Sequence, residues 1–135
     1  MTLEDAIEMR LLASGDLTAR IAERVGWTRR LTGIPAITLQ VISDPRPQHF
    51  KGFQPTRPTL VQIDVWSADP REAAAIRDMC IAVLTPADTV EDVRFQRAMI
   101  TSVRSGAEPD RSGDSHSYAG ELHRESIDFS FLHNA

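Results

Sequence analysis

Two stretches of this chain alternate apolar and polar residues with a period of two, and that alternation constrains the fold most. In Leu60-Val61-Gln62-Ile63-Asp64-Val65-Trp66, the residues Val61, Ile63 and Val65 share one side. Between His123 and His133, Ile127, Phe129 and Phe131 share one side, with Arg124, Ser126, Asp128 and Ser130 on the other. Successive side chains of a strand point to opposite faces of a sheet, so both stretches predict strands with one buried face. A slip of one residue would turn every apolar side chain to water, which pins the pairing register.

A third strand is expected over Ala36 to Val41, where Ile37, Leu39 and Val41 alternate. A fourth is expected over Arg94 to Arg104, with Phe95, Met99 and Val103 against Gln96, Ala98 and Ile100. Helical spacing governs the rest. Leu3, Ile7 and Leu11 fall four apart behind a Thr2 cap, with Glu4 and Asp5 in the first turn. Ser14-Gly15-Asp16 breaks and recaps the chain, and Leu17, Ile21 and Val25 predict a second short helix ended by Gly26. Asp69-Pro70 starts a third, whose inward stripe is Ala73, Ile76, Cys80 and Val83 and which Pro86 ends.

The order α-α-β-β-α-β-β predicts one α+β domain over residues 1–135. Its sheet is expected to be roughly four-stranded and mostly antiparallel, two long hairpins with helices packed on one face. Both hairpin loops, Ser43 to Thr59 and Gly106 to Gly120, exceed the usual two to five residues, and loops of that length in a compact domain often carry function.

Composition narrows the function. No apolar run approaches the ~18 residues of a membrane span. Glu4, Asp5 and Glu8 near the N-terminus do not fit a secretory signal, so a soluble protein made inside the cell is expected. Cys80 is the one cysteine, which excludes an internal disulfide and a thiolate zinc cage. A net charge of -4 argues against a protein dedicated to duplex nucleic acid.

Catalytic patterns are missing. His49, His116, His123 and His133 form no helical ligand pair, and His123 and His133 stand roughly 33 Å apart along an extended strand. No nucleophile elbow, P-loop or dinucleotide fingerprint occurs. Asp110, Asp114 and His116 form the one cluster that a small metal-dependent enzyme could use, although Ser/Gly/Asp clusters are usually turns. Cys80 belongs on a buried stripe as a small hydrophobe, and no cofactor or small-molecule substrate is expected. Trp66 lies on the strand parity opposite to Val61, Ile63 and Val65, as a second-face core residue or an interface anchor.

The passage Val61-Gln62-Ile63-Asp64-Val65-Trp66-Ser67 running into Pro70-Arg71-Glu72-Ala73 resembles the central motif of tail terminator (tail-completion) proteins of long-tailed phages and gene transfer agents. His123-Arg124-Glu125-Ser126-Ile127-Asp128-Phe129-Ser130-Phe131 is similar to the last strand of that family. The opening helix, the strand near Pro35 and the loop around Phe50-Lys51-Gly52 fit the same layout, although the flanking prolines depart from it.

The resemblance implies a non-enzymatic virion protein. A homohexameric ring would cap the head-proximal end of the tail tube, stop its polymerisation and join it to the head. The implied partners are the major tail tube protein below, a connector or stopper protein above, and DNA passing through the lumen. Assembly would take place in the bacterial host cytoplasm, with no membrane involved. Another connector or stopper ring is the alternative. Ring contacts join two different faces of a subunit, and the two loops differ in sign. Ser43 to Thr59 carries Arg46, Lys51 and Arg57 with His49 against Asp44, a net of +2. Gly106 to Glu121 carries Glu108, Asp110, Asp114 and Glu121 against Arg111, a net of -3. These opposite charges are expected to steer docking between copies or layers; the alternatives are two merely solvated loops, or Arg46, Lys51 and Arg57 placed in the lumen near the phosphates of passing DNA.

Overall fold

The computed structural model describes residues 1–109 and 120–135. Its elements run α1 (Leu3–Leu12), α2 (Gly15–Ile21), β1 (Val25–Trp27), β2 (Ala36–Ser43), β3 (Gln48–His49), β4 (Gly52–Phe53), β5 (Arg57–Ser67), α3 (Pro70–Leu84), β6 (Asp88–Val90), β7 (Val93–Phe95), β8 (Met99–Pro109) and β9 (Glu121–His133). The predicted α+β class and the two long hairpins are present. The sheet is larger than the four strands expected. Seven strands run in the order β1-β2-β5-β9-β7-β6, with β8 also pairing β9, and β3-β4 forms a separate small hairpin. All pairs are antiparallel except β1 with β2.

The alternation does what its period requires. Val61 lies opposite Phe129 and Ile63 opposite Ile127 across β5 and β9, while Leu39 and Ile37 of β2 meet Ile63 and Val65. All seven side chains are wholly buried. α3 lies over β5 and β9, burying Ala73, Ile76, Cys80 and Leu84, and α1 and α2 pack on α3. The inward stripe therefore ends on Leu84, while Val83 is partly buried. The caps follow the sequence. Thr2 and Asp5 form a reciprocal capping box on α1, Ser14 caps α2, and Asp69 caps α3 with Pro70 in the first turn.

Two expectations fail for physical reasons. Val25 does not extend α2, because Ala22 turns the backbone to φ 53 and ends the helix. Val25, Gly26 and Trp27 then pair with Ile37, Thr38 and Leu39. Gly26 is needed there for space, since a Cβ would sit 2.1 Å from the Arg29 carbonyl oxygen. The second failure is the Arg94–Arg104 strand, which is interrupted. β7 stops at Phe95, β8 starts at Met99, and an irregularity between Ile100 and Ser102 adds a residue. That bulge reverses the parity, so Ile100 and Val103 both take the core-side register, opposite Phe129 and Ile127. Met99 pairs with Ser130 on the other face.

Candidate interaction surface

β8 is an eleven-residue strand with no buried residue. It bonds to β9 along one edge, and among the described residues its other edge has no partner. Met99, Ile100 and Val103 are 66%, 38% and 45% exposed, although the last two continue the buried rows of β9. The cause is coverage, because α3 lies over β5 and β9 rather than β8. At the margin Arg77 of α3 reaches Glu125 at 3.3 Å, and Ser105 of β8 donates to the same carboxylate at 2.8–2.9 Å. This polar cluster closes the core where the helix layer stops. An unpaired, partly apolar strand edge is a ready template for another strand.

The opposite sheet face is polar and laced with hydrogen bonds. Trp66 lies on it, partly buried, its Nε1 donating to Thr38 Oγ1 at 3.0 Å and its ring under the Arg124 guanidinium at 5.6 Å. Arg124 in turn pairs with Glu108 at 3.6 Å. Ser126 donates to Asp64, Gln62 donates to Asp64 at 3.1 Å, and Arg104 holds Asp128 at 2.8 Å. Trp66 is thus a second-face residue built into a hydrogen-bonded surface.

Two of the three cations of the basic loop gather on one carboxylate. Asp44 Oδ1 accepts from Arg57 Nε and Thr59 Oγ1, both at 2.9 Å, and Asp44 Oδ2 accepts from Arg46 at 2.9 Å. Burial works against the charge, but the hydrogen bonds from Arg57, Thr59 and Arg46 outweigh it and hold the Asp44 carboxyl below its usual range. Arg57 also donates to the Ala135 carbonyl. Lys51 has no ion pair among the described residues, and His49 Nδ1 accepts the Lys51 amide at 3.1 Å. Of the acidic loop, Glu108 is paired with Arg124, whereas Asp110 and Asp114 lie outside the described residues, as does His116.

Asp44 joins a relay that sequence spacing does not show. Buried His133 shares a 2.7 Å hydrogen bond with Thr59 Oγ1 through Nε2, and its Nδ1 accepts the Ala135 amide at 3.0 Å. With Nδ1 accepting, Nε2 carries the proton and donates to Thr59, which donates to Asp44. Burial, then the nearby Arg57, push the imidazole down to about 4. His133 lines a cleft of about 610 Å³ with Thr56, Asp88, Thr89, Arg94 and Arg97. Both ring nitrogens are already engaged, so this histidine has no lone pair free to take a substrate proton.

Arg10 is another group the sequence does not announce. It is 5% exposed, donates to the Val83 and Pro86 carbonyls at 2.9 and 2.8 Å, and stacks over Phe95 at 4.8 Å. With Asp88 at 3.5 Å it ties α1 to the end of α3 and to the β6–β7 hairpin. Its role is structural. Among the described residues no group of three or more His, Cys, Asp or Glu is placed to hold a metal ion. Among the same residues, no helix is long and apolar enough to cross a membrane.

No family model matches the chain, and no curated protein matches it in sequence. Its fold does have a solved counterpart. A chain in the virion of a native gene transfer agent particle superposes with a TM-score of 0.64 at 15% identity, covering 98% of this chain and 95% of that one. At that identity the likeness establishes a shared fold spanning nearly the whole of both chains.

Proposed function

We propose that this chain is a structural protein of a phage-like particle, acting as a tail terminator without catalysis. Six copies form a ring on the head-proximal end of the tail tube, end its polymerisation and present a surface for the head. The observation that carries this reading is the fold shared, over almost its full length, with a component of a gene transfer agent virion. The surface is consistent with it. Among the described residues β8 leaves a partly apolar strand edge uncovered, which a neighbouring subunit can use, and the polar groups described above mostly hold the sheet together. In this reading Trp66, Glu108 and Lys51 lie at or beside contacts between copies or layers. Arg46 and Arg57 act indirectly, by shaping the loop through Asp44.

The test is imaging of particles made without this protein, with the copy number measured in complete ones. Filled heads free of tails, beside tubes of irregular length, are the expected result, together with six copies per tail. Leaking or empty heads would indicate a stopper or connector instead. A copy number that is not a multiple of six would overturn the ring.

A further inference from the structure

The β3–β4 hairpin carries an unusual tip. Gln48 pairs with Phe53 and His49 with Gly52, which leaves Phe50 and Lys51 as a two-residue turn. Gly52 takes φ +122, a backbone region that L side chains rarely adopt, so the turn is fixed by its glycine. Phe50 is 112% exposed, more than in a reference peptide, so none of the described residues covers it. A buried aromatic removes about 150–250 Å² from water, and leaving one at a turn forgoes all of that. His49 and Lys51 flank it, also exposed, and Lys51 is the only lysine of the chain.

A groove of about 450 Å³ opens elsewhere on the surface, along α1. Met1, Met9 and Leu12 supply its apolar lining, and Asp5, Glu8 and Glu91 supply carboxylates around it. Met9 is 45% exposed, and thioether side chains adapt well to an incoming ring. Glu8 and Glu91 have no ion pair among the described residues. The two features match in kind, an aromatic flanked by a cation against an apolar trough edged by acids.

We propose that the Phe50 tip of one copy seats in the α1 groove of a second copy of this chain. Lys51 then faces Glu8 and Glu91. A tip and a groove on different parts of one surface can link copies head to tail, the kind of contact that closes into a ring. The inference rests on the ring reading for the identity of the partner, and it names one contact of that ring.

The test replaces Phe50 with the photo-crosslinking residue p-benzoylphenylalanine in assembled particles. Isotope-mixed protein distinguishes links between copies from links within one. Links from position 50 into Met1–Leu12 of a different copy are expected. Lys51→Glu should lower their yield about two- to fivefold, as for a rim ion pair, and adding Glu8→Lys should restore part of it. Links that map chiefly to β8 or to another protein, or a yield no higher than from the same probe at exposed Leu31, would overturn the contact. So would a Lys51→Glu yield equal to that of the unaltered chain. The ring is judged separately. Six copies with position 50 linked elsewhere leave the ring standing and remove this contact. Links into α1 in a closed pair, or in any count that is not a multiple of six, support the contact and remove the hexamer.

Discussion

β5 and β8 are both eleven residues long and both run antiparallel to β9, one on each side of it, yet they live in different environments. Ile63 and Val103 oppose the same residue, Ile127, from the two sides. Ile63 is fully buried and Val103 is 45% exposed. The same row of one sheet is core at one end and open surface at the other, because helix α3 covers β5 and β9 and goes no further. Strand pairing alone therefore does not bury a side chain. A second layer does, and among the described residues none lies over β8.

The largest expected effect comes from cutting this row at both ends. Ile63→Ala should cost about 2–5 kcal/mol of unfolding free energy, since it leaves a cavity in a packed core. Val103→Ala should cost less than about 1 kcal/mol, as at other open surface sites. Chemical denaturation of both variants measures the contrast, and equal losses would mean that β8 is covered in the isolated protein.

His133 sets up the next comparison, since it lies opposite Arg57 at the start of β5 and has no buried titratable counterpart on β8. Its pKa is near 4 when folded, against about 6.5 in an unfolded chain. The unfolded state therefore binds the extra proton first, and stability is lost as pH falls from about 6.5 to 4. About 2 kcal/mol should disappear over that window, after allowing for partial solvent screening near the sheet end. His133→Gln should flatten this part of the stability–pH curve, and an unchanged curve would show that the imidazole is not held neutral.

A smaller effect belongs to the layer that distinguishes the two strands. Cys80 of α3 is fully buried, and burial pushes its thiol up to about 12. Cys80→Ala should cost roughly 1 kcal/mol. The native thiol should stay inert to a thiol reagent at neutral pH until the protein unfolds. Rapid labelling of folded protein would show that α3 lifts off β5 and β9.

The smallest effect on stability should carry the clearest effect on assembly. Val103→Ser should shift unfolding by no more than about 0.5 kcal/mol. In the ring reading it should nevertheless reduce incorporation into particles, scored by quantifying the protein in purified tails. Hydrogen exchange sharpens the point. Amides of β8 on the edge away from β9 should exchange fast in the free chain and slowly in the particle, while those of β5 are slow in both. Full incorporation of Val103→Ser would remove β8 from the interface.

The sequence by itself determined the parts of this protein that obey a local period or a local cap. The alternations at Val61–Val65 and Ile127–Phe131, the Thr2 and Asp69 caps and the buried stripe through Cys80 were all legible, because each rests on neighbours a few residues apart. The parity that puts Trp66 on the second face was legible for the same reason. What the tertiary structure decided lies where distant segments meet. Val25 matches the helical spacing of Leu17 and Ile21, and its pairing with Ile37 made it a strand residue instead. The bulge between Ile100 and Ser102 moved Ile100 onto the same side as Val103, which a two-residue period cannot foresee. Asp44 gathers Arg46, Arg57 and Thr59 into one cluster, an arrangement that counting the loop's charges does not show. Arg10 is buried because two carbonyls more than seventy residues away accept its guanidinium. Periodicity says which side of a strand is apolar, but the reach of the covering helices decides whether that side meets a core, water or another molecule.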